Sequence, residues 1–194
     1  MKLVEQALNG LILFELVKFA DERGAFLETY NRLTMDRLTP ILSSLEGQVF
    51  LQDNQSVSKK GVIRGLHFQA PPYDQGKLVR VISGAILDVA VDIRRKSPTY
   101  GKHYSTVLSS DNNRTLWIPS GFAHGFLSME KDTVVSYKCT NTYNKESEGT
   151  ILFNDTSLDI DWYEKNRLLG VTTPIVSERD KAGELFSSFE TPFK

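Results

Sequence analysis

The chain has three histidines, at 67, 103 and 124, and two of them sit in phrases with a physical logic. His67 lies in GVIRGLHFQ, a β-prone run with Arg64 close upstream, and His124 follows the Pro/Gly turn of IPSGFAHGF. Imidazole titrates near neutrality, so a histidine in a cleft can accept a proton at cellular pH, or it can bind a metal. Other groups suited to proton transfer are Lys77 in QGKLV, Tyr137 in YKCT and Asp180 in SERD. Taken singly, each has a plainer explanation. A lone strand histidine is usually a satisfied structural residue. Tyr137 alternates with Val135 and Cys139, as a core tyrosine would. Lys77 and Arg64 read as solvated edge charges, and Asp180, just after Ser177 and Glu178, reads as a helix start.

The stretch from Pro119 to His124 matches proline-x-glycine-x-x-histidine, the second motif of the cupins. In metal-holding cupins that histidine joins two histidines and a glutamate from a first motif. Here Gln69 stands where a His-x-His pair needs its second histidine. Two imidazoles without partners make a poor zinc site, so no metal is expected.

The elements that must position these groups are mostly strands. LILFELVKF, AFLETYN, VFLQDNQSV, GVIRGLHFQ, KLVRVIS, AILDVAVDI, HYSTVLS, RTLWIP and TVVSYKCT are short β-type runs punctuated by Gly, Asn or Pro. Such a series predicts a sandwich or barrel rather than βαβ units. Ser83-Gly84 reads as a tight hairpin turn between KLVRVI and AILDVAVDI. In the second arm, Ala85, Leu87, Val89, Val91 and Ile93 share a face opposite Ile86, Asp88, Ala90 and Asp92. Gln52 and Asn54 are two apart and face one side, whereas Arg64 and His67 are three apart. A bulge at Gly65 would bring that second pair together. Only Leu33–Leu45 and the tail beyond Asp161 look partly helical, and the tail is expected to wrap the β core. Residues 1–194 form one domain.

The ordered set of phrases DERGAFLETYN, QDNQSVS, GVIRGLHFQ, QGKLVRVISG, DVAVDIRRKSPTYG, LWIPSGFAHGF, YKCTNTY, LDIDW and PIVSERD resembles the dTDP-4-keto-6-deoxyglucose (dTDP-4-dehydrorhamnose) 3,5-epimerase family from about Asp21 to Asp180. The resemblance implies an all-β, cupin-type β-sandwich or jelly-roll barrel with short peripheral helices. It implies His67 as base, Tyr137 as general acid, Asp180 as the carboxylate orienting the histidine, and Lys77 as the cation beside the sugar. It places Arg23, Phe26, Glu28, Gln52, Asp53, Asn54, Arg64, His124, Tyr143, Glu148 and Arg179 at substrate-binding positions, with Tyr143 stacking on thymine. It also implies a homodimer whose exchanged N-terminal strands carry Arg23, Phe26 and Glu28 into the partner's pocket. No cofactor is implied. Two departures stand out: Phe153-Asn154-Asp155-Thr156 replaces the family's Trp-Asp-Asp-Pro, and Tyr163–Thr173 is unlike the family.

Those residue types suit the implied reaction. Removing a proton beside a ketone leaves charge on the carbonyl oxygen, so the site needs a base at the C–H and a cation or donor at the oxygen. Inversion then requires a proton donor on the other ring face, and a phenol keeps its proton at neutral pH. The alternatives are an epimerase acting at C3 or C5 only, one taking a CDP-linked sugar, a non-catalytic sugar-binding cupin, and a metal-dependent oxygenase. Bulk properties fit a small-molecule enzyme. The net charge of -1 argues against a nucleic-acid partner. The lone Cys139 asks for no oxidising compartment, and no apolar run approaches a membrane span, so a cytoplasmic location is expected.

Overall fold

The computed structural model describes all 194 residues. Two six-stranded layers face each other. One runs β1 (Lys2–Ala7), β2 (Leu11–Glu15), β10 (Arg114–Ile118), β7 (Lys77–Ser83), β12 (Thr133–Cys139) and β5 (Gln52–Ser58). The other runs β13 (Glu148–Thr150), β6 (Val62–Gln69), β11 (Phe122–Ser128), β8 (Ala85–Asp92) and β9 (His103–Ser109), with β14 (Ile175–Val176) pairing in parallel to the start of β6. A separate hairpin, β3 (Lys18–Asp21) and β4 (Gly24–Leu27), stands apart from both. Three short helices, α1 (Arg32–Leu38), α2 (Trp162–Leu168) and α3 (Glu178–Lys181), lie at the periphery. This is the expected jelly-roll sandwich.

Strand alternation decides which side chains go where. Val79, Val81, Ile86, Ala90, Leu116, Phe126 and Val135 fill the space between the sheets. The opposite face of β8, with Leu87, Val89 and Val91, packs under the C-terminal segment beside Phe189 and Trp162. Every residue of β8 is therefore buried, because a central strand covered on both faces exposes neither; it is apolar except at Asp88 and Asp92, whose carboxylates are met by His124 and by Arg94, Ser97 and Thr99. The tail wraps the core as expected, stapled by Arg95 N–H donating to Phe193 O at 2.9 Å. A third cluster, with Ile12, Phe14, Leu78 and Trp117, lies under α1 and a 3-10 turn at Ser43–Leu45.

Two local expectations differ from the structure. Ser83-Gly84 is not a hairpin turn. β7 is already paired by β10 and β12, and β8 by β9 and β11, so the chain crosses there from one sheet to the other. Gly84 supplies the turn with φ +83°. LILFELVKF is likewise two strands: the chain leaves the sheet after Glu15, and Lys18 opens the projecting hairpin. The unfamiliar stretch after Tyr163 folds as α2 and a turn. It lies on the outer face of the second sheet, where Ile175 N–H donates to Gly61 O at 2.9 Å and starts β14.

Asp92 closes β8 and organises the loop that follows. Its carboxylate accepts from Arg94 N at 3.0 Å, Arg94 Nε at 2.9 Å, Ser97 Oγ at 2.5 Å and Thr99 Oγ1 at 2.6 Å, with no side-chain exposure. Burial opposes its ionisation, but the bonds from Arg94, Ser97 and Thr99 outweigh that and hold the carboxyl below its ordinary pKa. A group depressed in the folded state adds stability above its unfolded pKa and loses it as pH falls through the folded value. Asp92→Ala is expected to cost about 3–5 kcal/mol near neutrality, because a buried partner of a charged pair is removed. In urea melts, the gap to wild type should narrow as pH drops from about 5 towards 2.

Candidate active site

One mouth of the barrel is polar. His67 and Gln69 reach it from β6, Gln52 and Asn54 from β5, Tyr137 from β12 and Lys77 from β7, around a cleft of about 360 Å³. The strands are there to bury the apolar side chains further along them. Their last inward positions lie beyond the core and carry polar groups instead.

His67 Nε2 lies 2.7 Å from Asp180 Oδ1. The Asp180 carboxyl is only 4% exposed, and its other oxygen accepts from Gly65 N–H at 3.2 Å. Burial raises this carboxyl's pKa, but the His67 and Gly65 bonds prevail and hold it below the ordinary value. An ionised carboxylate can only accept, so Nε2 carries the proton and Nδ1 is left with its lone pair free. Asp180 itself is placed by α3, where Ser177 Oγ caps the helix by accepting Asp180 N–H at 3.1 Å.

The other groups have graded environments. Burial, with smaller contributions from Cys139 and Glu148, pushes the Tyr137 phenol up, and nearby Arg64 counters only in part. Tyr137 therefore stays protonated at neutral pH. Burial pushes the Lys77 ammonium down, opposed by the neighbouring Cys139, Asp88 and Glu148. Arg64 and His67 converge because β6 carries the expected bulge: His124 pairs with His67 but Phe126 pairs with Arg64, which leaves one extra residue on β6. Arg64 Nε donates to Ser58 Oγ at 3.1 Å, and the residue lines a second groove that shares His67 with the first.

Tyr143 and Glu148 also line the cleft, and Arg179 lines the second groove beside them. Tyr143 Oη donates to Glu148 Oε2 at 2.8 Å, and Arg179 lies 2.7 Å from Glu148 Oε1. Burial raises the Glu148 pKa, but Arg179 and Tyr143 together bring it below the usual carboxylate value. His124 lies beneath the cleft rather than on its wall: it is 8% exposed, with Nε2 2.7 Å from Asp88 Oδ1. Each of these two histidines has one carboxylate partner, and no group of three ligand-type side chains forms.

Some expected site residues are elsewhere. Asp53 alternates with Gln52 and Asn54, so it points out of the cleft, where Lys138 Nζ holds it at 2.7 Å. In this chain alone, that register keeps Asp53 off the cleft lined by Gln52 and Asn54. Arg23, Phe26 and Glu28 belong to the projecting hairpin region, outside this chain's own cleft. Arg23 pairs with Asp21, Glu28 accepts from Asn31 Nδ2 at 2.9 Å, and Phe26 is 68% exposed. Sequence reasoning missed Gln69, Gln75 and Asp88. Gln69 was legible, being two residues from His67 on one strand. Asp88 was legible as an acid in the middle of a strand whose only other polar residue, Asp92, closes it. Gln75 lies in a loop, and its place depends on its Nε2 donating to Asn141 O at 2.8 Å.

A jelly-roll barrel with a carboxylate-paired imidazole and a half-buried phenol at one mouth defines a cupin-type enzyme equipped for proton transfer. Comparison with known proteins narrows that class. Residues 5–188 match the family model described as dTDP-4-dehydrorhamnose 3,5-epimerase. The chain is 42% identical over 186 residues to the dTDP-4-dehydrorhamnose 3,5-epimerase of Shigella flexneri, covering 96% of each chain. It superposes with a TM-score of 0.83 on the crystal structure of the Elizabethkingia anophelis dTDP-4-dehydrorhamnose 3,5-epimerase, at 43% identity over 96% of this chain and 97% of that one. The Legionella pneumophila dTDP-6-deoxy-D-glucose-3,5-epimerase, solved in complex with dTDP-4-keto-L-rhamnose, gives 0.86 at 38% identity over 97% and 94%. The chain belongs to the dTDP-4-dehydrorhamnose 3,5-epimerase family.

The bulge gives a test of the site's construction. Gly65 has φ +121°, and a Cβ there would lie 2.5 Å from Gly125 Cα and 2.7 Å from His124 O. Both are backbone atoms that cannot give way. Gly65→Ala is expected to destabilise the fold by more than about 1 kcal/mol in thermal melts. Displacing His67 from Asp180 should also lower turnover by about a hundredfold.

Proposed function

We propose that this chain inverts C3 and C5 of dTDP-4-keto-6-deoxy-D-glucose to give dTDP-4-keto-L-rhamnose. The single observation that carries the mechanism is the 2.7 Å His67–Asp180 contact at a cleft that Tyr137 also lines. With Nε2 bound to Asp180, His67 Nδ1 removes the proton next to the C4 ketone, and the buried carboxylate stabilises the imidazolium that results. Lys77 stabilises the charge that develops on the carbonyl oxygen. Tyr137 delivers a proton to the opposite ring face. The ketone acidifies both neighbouring carbons, so one base and one acid serve C3 and C5 in turn. Only protons move, so the reaction needs no cofactor. Gln52, Asn54, Arg64 and Tyr143 hold the nucleotide sugar, with Tyr143 as a platform for the thymine, and His124 supports the floor of the sugar pocket.

Nuclear magnetic resonance in deuterated water tests these assignments. Wild type is expected to place deuterium at both C3 and C5 with inversion. His67→Asn should abolish exchange while leaving nucleotide affinity near wild type. Tyr137→Phe should still exchange through His67, with configuration largely retained. Inversion at the wild-type rate in the phenylalanine variant would remove Tyr137 from its role.

The active form we propose is a homodimer in which the β3–β4 hairpin brings Arg23, Phe26 and Glu28 to the partner's cleft. Its support is the exposure of Phe19 and Phe26, 61% and 68%, on a hairpin that packs against neither sheet. The reading also includes a cytoplasmic location. The unpaired Cys139 is consistent with it, and no helix is long and apolar enough to cross a membrane. Mixing inactive Arg23→Ala and His67→Asn chains after partial denaturation should restore about a quarter of wild-type activity, since half the dimers are mixed and each has one intact site. Failure of any activity to return would confine each site to one subunit.

A further inference from the structure

The turn that carries Tyr143 crosses from one sheet to the other. It leaves β12, in the first sheet, after Cys139 and enters β13, in the second, at Glu148. Its ends are tied to nearby backbone: Thr140 N–H donates to Gly76 O at 2.9 Å, and Ala70 N–H donates to Ser147 O at 2.6 Å. Residues 141–144, between those ties, belong to no strand. The Tyr143 residue is 51% exposed, so packing does little to fix its ring. The ring's direction depends on the backbone beneath it and on the bond from its hydroxyl to Glu148.

Two glutamine side chains hold that backbone, one from each sheet. Gln52 of β5 accepts Tyr143 N–H at 2.8 Å, and Gln69 of β6 accepts the next amide, Asn144 N–H, at 2.7 Å. Asn144 in turn caps the 3-10 turn Lys145–Ser147, its Oδ1 accepting from Glu146 N and Ser147 N at 3.0 Å. Gln69 is also the register partner of Glu148, and it is only 6% exposed. Its amide thus fixes the turn where it meets the second sheet, between the aromatic ring and the carboxylate that binds that ring's hydroxyl. Gln69 stands two residues after His67, the place of the second histidine in a metal-holding His-x-His pair. Here the carbonyl oxygen at that place faces a backbone donor.

We propose that Gln69 is a positioning residue for nucleotide recognition: by holding Asn144 N–H it sets the Tyr143 platform beside the cleft, and so tunes affinity for the base without entering the proton transfer at His67. The proposal rests on the epimerase reading above, in which Tyr143 carries the thymine. A side chain with no acceptor at position 69 leaves a half-buried N–H without its partner, and the turn must shift to find water.

Gln69→Met keeps the side chain's length and removes its amide. Calorimetric titration with dTDP is expected to show affinity about tenfold weaker than wild type, because a donor under the platform loses its acceptor. Affinity for inorganic pyrophosphate, which has no base to stack, should stay within about twofold. In turnover, KM should rise about tenfold with kcat within about twofold, the pattern of lost ground-state binding. The decisive comparison is a double-mutant cycle. Tyr143→Ala alone should weaken dTDP by about tenfold or more. Adding Gln69→Met to it should cost less than about twofold further, since the platform that Gln69 holds is already gone. A second loss as large as the first, in the Tyr143→Ala background, would make Gln69 a ligand contact in its own right and overturn the proposal. Equal weakening of dTDP and pyrophosphate would also overturn it, as would a fall in kcat with dTDP affinity unchanged. If wild type binds dTDP but does not turn over the sugar, the epimerase reading falls, and the binding cycle alone decides the role of Gln69. Wild type that does not bind dTDP sinks both. Should Gln69→Met not fold, Gln69→Asn, whose amide is one methylene short of Asn144, is read by the same outcomes.

Discussion

The contact between His67 Nε2 and the Asp180 carboxylate spans 113 positions of sequence, and much of the fold serves to make it possible. A buried carboxylate is unfavourable unless several donors meet it. Here the imidazole and the Gly65 amide do so, which keeps Asp180 ionised and fixes the histidine's tautomer. That in turn requires β6 to bulge at Gly65, because only the bulge turns both the amide and the imidazole towards the helix. It also requires the C-terminal segment to leave the outer core and return along β6 as β14 before α3 begins.

The core layers explain why the chemistry sits at one end of the barrel. β7 carries Lys77, Val79 and Val81 on its inner face, and β12 carries Cys139, Tyr137 and Val135. Moving along either strand from the core to the mouth replaces aliphatic side chains by functional ones without changing the backbone. Strands locked in a ladder hold those side chains more rigidly than loops could, which suits proton transfer over short distances. Burial supplies the tuning as well: it raises the phenol of Tyr137 and lowers the ammonium of Lys77.

The two departures from the family's phrases lie on the far side of the second sheet from the cleft. Asp155 caps a 3-10 turn, its carboxylate accepting from Ser157 N at 2.8 Å and Phe186 N at 2.7 Å, and Trp162 is buried in the outer core. That stretch controls where β14 and α3 emerge, so it acts on the site through the placement of Asp180. The residues that touch the cleft come from the segments that match the family.

The sequence by itself determined the class of fold, most of the central strands though not β1, β13 or β14, the bulge at Gly65 and the pairing of Gln52 with Asn54. All of these follow from short-range rules: alternation, turn residues and the freedom of glycine. The ordered phrases also carried His67, Tyr137 and Asp180, although nothing in their spacing could show that two of them touch. Other features were decided only by the tertiary structure. Ser83-Gly84 had the residues of a hairpin turn, but which strands pair depends on which edges other strands have already filled. Asp53 sat in a binding phrase, yet strand register turned it outward to Lys138. His124 had a cupin motif around it, and the packing of β8 against β11 gave its imidazole to Asp88. A local sequence sets backbone conformation and the direction of alternate side chains. Which of two faces meets the cleft, and which distant group stands opposite, is settled when the sheets close on their common core.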